Sequence, residues 1–530
     1  MERGATSNFA RGAQWVLAVA FLLALAAPAV LTWTHPRPAS ELDREFRRPA
    51  PWPAKPISPA TLEVWPRMFD AWFADHFGLR STLIRASNAL KLLALGESPT
   101  TEIVVGPEHW MFTTRDRAVD VYRGADPFTE RELELWAQVL SDRRAWCEAR
   151  GVRYLFAIAP NKETIYPDRW PARLDKVGPT RREQLVEFVR GRPDVPLLDL
   201  TAALERARRD FASEGDVYFQ LGTHWNDRGA LYAYRALLEH AASEVPGIEA
   251  RRRDEFAFEP TEFQDDSWAR RLYLEDVLVQ PNVELRMLFE RGVDEAFWRK
   301  AREEQRMSID SEHPNADLPR AVVFHDSMGE KLRPLLAEHF SRASFRWVSD
   351  FDTALIEREK PAIVIQLFVE RALSAFSLST SPLDTPERCA EEFAASTQVL
   401  ARGLDGLGPD RSDASRPVEL ERRADGALLV RYGGGGVLLP AFETPSGAWP
   451  VLRIELDAPA DSTLLVEFKT PRHVDYARLA RGVQRPVKAG SNVVFLKLRV
   501  PELFGRLRLH PGLAAGEYVL RDLEVRAVPE

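Results

Sequence analysis

The rhythm of apolar and polar positions changes along this chain, and each change predicts a different kind of element. From Gly12 to Thr34 there is no charge, and Trp15–Trp33 reads WVLAVAFLLALAAPAVLTW, close to the ~20 apolar residues that span a hydrocarbon core. Arg3 and Arg11 precede the run, which keeps the N-terminus in the cytoplasm and exports the chain beyond the run. Ala24 and Ala26 fit a signal-peptidase site with the run as its h-region. The run nevertheless continues through Val30 and Leu31 to an interfacial Trp33, and that length favours an uncleaved anchor. Residues 1–36 are thus an N-terminal membrane anchor or signal, and the bulk of the chain lies outside the cytoplasm. Seven prolines between His35 and Pro59 predict a stiff, extended linker over residues 37–60. After it, Phe69, Trp72, Phe73 and Phe77 recur at helical spacing, as core-packing aromatics do.

Between Arg150 and Leu367 short apolar runs alternate with helical patterns. The predicted strands are Tyr154–Ile158, Pro196–Leu200, Val322–Phe324 and Ile363–Leu367. The predicted helices are Glu130–Ala149, Arg228–His240, Val293–Met307 and Glu330–Phe340. This order predicts an α/β domain with a largely parallel sheet, and Pro246–Pro319 reads as an insertion over one face. After about Asp384 the pattern shortens to β-like runs: Ala427–Tyr432, Val451–Leu456, Thr463–Phe468, Asn492–Val500, Arg506–His510 and Tyr518–Val525. Gly, Pro and Asp separate them, so residues 410–530 predict an antiparallel, jelly-roll-like β-sandwich.

Composition narrows the class. A chain of 530 residues, 45% of them hydrophobic, exceeds one ordinary core and is not broadly disordered. A net charge of −8 with no basic tail argues against a nucleic-acid partner. Two cysteines, Cys147 and Cys389, cannot build a disulfide framework, and no Cys/His cluster has metal-site spacing. No cofactor is implied.

Three peptides carry candidate chemistry. In Ala321-Val-Val-Phe-His-Asp-Ser-Met-Gly-Glu330 an apolar strand runs straight into Asp326-Ser327. The carboxyl end of a parallel strand is where such sheets bind ligands. There Ser327 presents a hydroxyl, and the backbone N–H near Met328 offers itself to an oxyanion; Asp326 or Ser327 fits a helix N-cap equally well. In Val217-Tyr-Phe-Gln-Leu-Gly-Thr-His-Trp-Asn226, His224 sits in a turn ahead of a helix, a suitable place for a general base. In Ala157-Ile-Ala-Pro-Asn-Lys-Glu-Thr-Ile-Tyr166 the same strand-end rim holds Asn161, Lys162 and Tyr166. They are candidates for oxyanion and substrate contacts, with a plain turn at Asn161 as the alternative.

In combination these motifs resemble the alginate O-acetylation family of SGNH hydrolase-like proteins, the AlgX/AlgJ type. The resemblance is carried by Asp75-His76-Phe77 with Arg80, Val105-Gly106 with Trp110-Met111-Phe112, and Pro160-Asn161-Lys162 with Tyr166. His224-Trp225-Asn226 with Gly229-Ala230, Asp326-Ser327 and Glu370-Arg371 complete the family's order. It covers roughly residues 60–380 and implies an SGNH-like three-layer domain over residues 61–385. It also implies a Ser-His-Asp site, with Ser327 as nucleophile, His224 as base and Arg371 among the substrate-binding residues. The implied reaction is acetyl transfer to an exported polysaccharide, with acetyl groups supplied by a membrane-bound acyltransferase, in a periplasmic protein tethered to the inner membrane. The family's aspartate two residues before the histidine falls at Gly222, and His325 replaces the glycine of its Gly-Asp-Ser pattern. Without a carboxylate the imidazole's tautomer is not held, and nothing in the sequence shows Asp227 reaching His224.

Two alternatives remain open at this point. One is a non-catalytic polysaccharide-binding or assembly protein with a degenerate site; the other is a deacetylating esterase, in which water is the acceptor. The sandwich is a candidate carbohydrate-binding module, with Trp449 and Tyr476, and His473 and Arg472 nearby, as its few platform candidates. Trp449 fits a sandwich core as readily.

Overall fold

The computed structural model describes residues 3–34, 48–56, 58–263, 266–348, 350–375, 378, 380–412, 416–476 and 482–530. Most of the proline-rich stretch, residues 35–47, therefore lies outside the described residues. In chain order the first ten strands are β1 (Ile103–Val105), β2 (Met111–Thr113), β3 (Arg153–Ala159), β4 (Leu197–Asp199), β5 (Phe256–Thr261), β6 (Asn282–Met287), β7 (Ile309–Glu312), β8 (Arg320–His325), β9 (Arg342–Arg346) and β10 (Ile363–Val369). Six of them form one sheet in the order β4-β3-β10-β8-β9-β7, parallel throughout except for β7 at the edge. β10 reads IVIQLFV and every residue of it is buried, the continuous apolar run of a central parallel strand. Its one polar residue, Gln366, is pinned by Arg143 at 2.8 Å and by the Tyr154 hydroxyl at 2.6 Å. Helices Glu130–Glu148 and Asp227–Glu244 pack on β3, so the carboxyl ends of β3, β10 and β8 share one rim.

Two predicted helices are shorter than their apolar pattern. Val293–Met307 is helical only over Glu295–Glu303, because Gln305 adopts a left-handed φ of 51°. Glu330–Phe340 divides into a 3₁₀ turn, Ser327–Leu332, and a helix, Arg333–Ala337. Pro334 sits in the first turn of that second helix, where its missing N–H costs nothing, whereas a continuous helix would need that donor. The stretch Pro246–Pro319 holds the antiparallel β5–β6 hairpin, helix Glu295–Glu303 and β7. At the N-terminus one helix, Arg3–Thr34, contains a stretch, Gly12–Thr34, long and apolar enough to cross a membrane; by length and composition it fits a signal anchor or a signal peptide.

Beyond residue 398 two antiparallel sheets enclose a second core. One orders Val418–Arg422, Leu428–Tyr432, Gly516–Pro529, Ala448–Ala458 and Gly490–Lys497; the other orders Gly408–Pro409, Val437–Leu438, Arg508–His510, Ser462–Glu467 and Gly482–Val487. Trp449, Val451 and Val528 join the α/β core. The candidate sugar-platform residues also make contacts within the protein. Trp449 is buried with the Arg131 guanidinium 4.6 Å over its ring, and Arg472 pairs with Asp126 and Glu132 of the α/β domain. The Tyr476 ring lies beneath Lys469 and Arg508, and His473 is bridged to Thr470.

Arg499 binds Asp384 in a bidentate pair at 2.6 and 2.8 Å, both residues buried. Arg499→Ala removes the bidentate partner of that carboxylate, leaving it Lys497 at 3.9 Å and the Ser381 N–H at 3.3 Å, and is expected to cost about 3 kcal/mol. Arg422→Ala removes an exposed pair with Asp405 and is expected to cost less than about 1 kcal/mol. Urea unfolding of the two variants measures the contrast.

Candidate active site

Ser327 comes directly after β8 at the carboxyl rim. The Asp326 side chain caps its turn, accepting the Met328 N–H at 2.9 Å through Oδ1 and the Val369 N–H at 2.7 Å through Oδ2. The second bond ties the turn to the end of β10. Behind it the His325 ring is buried against Gly329, where any Cβ would collide with it. Burial, with Arg333 alongside, pushes the His325 pKa down to about 3, so it packs as a neutral ring. The residue that departs from the family's glycine is thus matched by a glycine one turn later.

His224 reaches Ser327 from a different segment. Asn226 caps helix Asp227–Glu244, and Phe219 N–H donates to the His224 carbonyl at 3.0 Å, closing a tight turn. Its Nε2 lies 2.7 Å from Ser327 Oγ. On the other side, His224 Nδ1 is 2.7 Å from Oδ2 of Asp266, a residue that no motif in the sequence marks.

Asp266 comes from the insertion and is built in firmly. Its Oδ2 also accepts the N–H of His224 at 2.8 Å and that of Thr223. Gln280 holds the backbone in place, donating to the Asp266 carbonyl at 2.9 Å and accepting the Leu221 N–H at 2.7 Å. A Cβ on Gly222 would collide with the Asp266 carboxyl and carbonyl, so the glycine clears the place that this carboxylate fills. Asp227 does not reach His224; it pairs with Lys331 and accepts the Leu285 N–H, both at 2.7 Å. Burial lowers the His224 pKa, but the Asp266 charge and hydrogen bond outweigh it and the net shift is upward. Burial likewise pushes Asp266 up, and the His224 charge with the hydrogen bonds overcomes it, holding the carboxyl well below the usual range.

The remaining site candidates divide. Met328 is corrected as an oxyanion donor, since its N–H is spent on Asp326. Ser327 opens the turn, and its own N–H has no acceptor within the helix. Asn161 is buried, and its Oδ1 accepts the Arg371 N–H at 3.3 Å. That fixes the amide's orientation and leaves the buried Nδ2 without a partner among the described residues. Lys162 does not face substrate. It is buried, its ammonium directed at the carbonyls of Met111, Phe219, Gln220 and Gly222, and burial pushes its pKa down to about 7. Tyr166 is also buried, its hydroxyl accepting the Val217 N–H at 2.9 Å and its ring 4.5 Å from Trp110. Arg371 lies near enough for its charge to oppose protonation of His224, yet its side chain pairs with Asp116 at 3.5 Å. Ser327 and His224 open on a cavity of about 300 Å³ whose far wall is the insertion, through Met287, Arg291, Trp298 and Arg302. Among the described residues no group of His, Cys, Asp and Glu could hold a metal ion.

Residues 103–270 match a family model described as "SGNH hydrolase-like domain, acetyltransferase AlgX". The α/β domain is thus SGNH hydrolase-like, and residues 103–270 of it are similar to the AlgX acetyltransferase model. The matched stretch contains His224 and Asp266 and ends before Ser327. Among solved structures, Bacillus cereus PatB1 is similar at 15% identity and a TM-score of 0.39, over 51% of this chain and 96% of that one. The O-acetyltransferase domain of Pseudomonas putida AlgJ is similar at 17% and 0.34, over 55% and 97%. Pseudomonas aeruginosa AlgX is similar at 12% and 0.34, over 80% and 94%. Among curated proteins none matches this chain.

The geometry of the Ser327–His224–Asp266 site sets the titration of His224. Its imidazole is expected to titrate above the ordinary 6.5, as monitored by NMR. The pair's contribution to stability is then complete below the ordinary histidine pKa and is lost as pH rises through the raised value. Asp266→Asn leaves burial dominant and lowers the pKa. Gly222→Ala displaces the carboxylate and lowers it in the same direction. A His224 pKa unchanged in both variants contradicts the coupling.

Proposed function

We propose that this chain is an exported polysaccharide O-acetyltransferase that works through an acetyl-Ser327 intermediate. The observation that carries this reading is the continuous Ser327–His224–Asp266 relay, with both contacts at 2.7 Å, opening on a cavity of a volume suited to a ligand. Ser327 Oγ attacks the acetyl carbonyl carbon of the donor as its proton passes to His224 Nε2. Asp266 holds the Nδ1–H and stabilises the imidazolium. The Ser327 N–H and Asn161 Nδ2 are the donors left for the oxyanion. Collapse of the tetrahedral adduct returns the proton to the departing donor group and leaves acetyl-Ser327. A sugar hydroxyl then gives its proton to His224 and takes the acetyl group, restoring the serine.

The acetyl donor in this reading is a membrane-bound acyltransferase, and helix Arg3–Thr34 is retained as an anchor on the periplasmic side of the inner membrane. The reading of a degenerate, non-catalytic site drew its support from Gly222, and the carboxylate whose absence it required is supplied by Asp266. Transferase and esterase differ only in whether a sugar hydroxyl or water attacks acetyl-Ser327.

Full-length protein given a small activated acetate ester is expected to show an acetyl adduct by intact mass, absent in Ser327→Ala. Asp266→Asn is expected to slow ester turnover on the order of 10⁴-fold, as in a serine-protease triad. The acid limb of its pH profile should move to lower pH as the His224 pKa falls. No adduct on the folded wild-type protein overturns the proposal. Turnover of the adduct by water alone, unaffected by any polysaccharide, assigns the chain as an esterase.

A further inference from the structure

Leu79, Leu83, Leu90 and Leu93 recur at helical spacing, with Ala86 between them, along helix Arg80–Ala89 and the π-turn Leu90–Ala94 that continues it. They are 36, 50, 58 and 45% exposed, and Leu95 just beyond is 60% exposed. The opposite face is bolted to the body. Arg85 donates to the Tyr273 carbonyl at 2.9 Å and pairs with Asp276 at 2.7 Å, Asn88 donates to the Leu272 carbonyl at 3.0 Å, and Leu92 is buried with Ile103 and Met111. The helix therefore cannot roll to hide its leucines, and an apolar stripe of this kind marks an interaction surface.

The occupant is indicated by the segment that touches the start of the stripe. Gly78 donates its N–H to Thr32 Oγ1 at 2.9 Å, and any Cβ there would collide with Pro28 and Leu31. The C-terminal end of the apolar helix Arg3–Thr34 thus packs against the residue that precedes Leu79. Around the junction Trp33 and Trp52 are exposed and packed together, their rings 6.2 Å apart and both against Trp72, as tryptophans gather at a membrane–water interface. The neighbouring helix Pro59–His76 adds exposed Leu62, Val64 and Met68.

We propose that the exposed faces of residues 59–76 and 79–95 form a lipid-binding platform, embedded at the headgroup–acyl boundary of the bilayer that helix Arg3–Thr34 enters. This rests on that helix being retained as an anchor. Anchor and platform together hold the Ser327 rim at one height and orientation above the membrane, which a single tether does not do.

Full-length protein in phosphatidylcholine/phosphatidylglycerol vesicles, carrying a bimane at Leu83→Cys or Leu90→Cys, tests this. Native Cys147 and Cys389 are buried, and burial pushes their thiols up to about 12 and about 11, so they stay unlabelled. Leu22→Cys in the anchor and Asp405→Cys on the exposed rim of the sandwich are the references. Lipid-borne nitroxide is expected to quench probes 83 and 90 several-fold more than probe 405. Quenching of probes 83 and 90 by aqueous iodide only, or by neither agent because a second copy or another protein covers them, overturns the platform while probe 22 still reports an embedded anchor. A probe 22 that lipid does not quench overturns the anchor and the platform together.

Discussion

His224 needs a carboxylate against its Nδ1, and the space for one exists only because residue 222 has no side chain. The Asp266 carboxyl lies where a Cβ on Gly222 would stand, and it takes up three nearby N–H groups from Thr223 and His224. Charge and hydrogen bonding then settle the tautomer, with the proton on Nδ1 and a basic Nε2 facing Ser327. The effect opposes burial at both residues, which is why the pair sits with His224 shifted up and Asp266 shifted down. Two further ionisable residues on the rim, Lys162 and Asp326, hold the backbone that carries these side chains.

Lys162 does so from beneath. A buried ammonium with four carbonyl neighbours is expensive unless those carbonyls need a common donor. Here three of them, from Phe219, Gln220 and Gly222, belong to the turn that delivers His224, and the fourth, from Met111, belongs to β2. The buried amine organises irregular backbone that has no ladder of its own. On the serine side Asp326 plays the corresponding part, joining the turn after β8 to the end of β10. Both residues are ionisable and close to the reacting groups, yet each is consumed by backbone.

Legibility in the sequence tracks burial. The inner strands β3, β8 and β10 show as apolar runs because both of their faces are covered. The edge strand β7, reading IDSE, alternates buried and exposed positions, and β9 beside it, reading RASFR, buries only three residues between two arginines, so neither shows a comparable pattern. Ser327 and His224 are legible as residue types at strand ends. Asp266 is not: it lies 42 positions from His224, in a segment with no periodicity, and reaches it only through the Gln280 clamp. For Lys162, Tyr166 and Met328, position on the rim is legible but direction is not. Whether a strand-end side chain faces solvent or its own loop depends on backbone acceptors that no local motif displays.

The insertion that supplies Asp266 also walls the cavity, through Met287, Arg291, Trp298 and Arg302. Placement of the carboxylate and shaping of the cavity are therefore carried by one segment. A carboxylate two residues before the histidine would be independent of that segment, and the wall could then change without touching the relay. In this chain the two are coupled, since Gln280 bonds both the Asp266 carbonyl and the Leu221 N–H shortly before the chain enters β6. A displacement of the hairpin by a badly fitting ligand would pull on the clamp and loosen the His224–Asp266 contact. On the proposed catalytic reading, selectivity is then expressed in the rate of the chemical step as well as in binding, because a ligand that leaves the wall undisturbed also leaves the carboxylate in register.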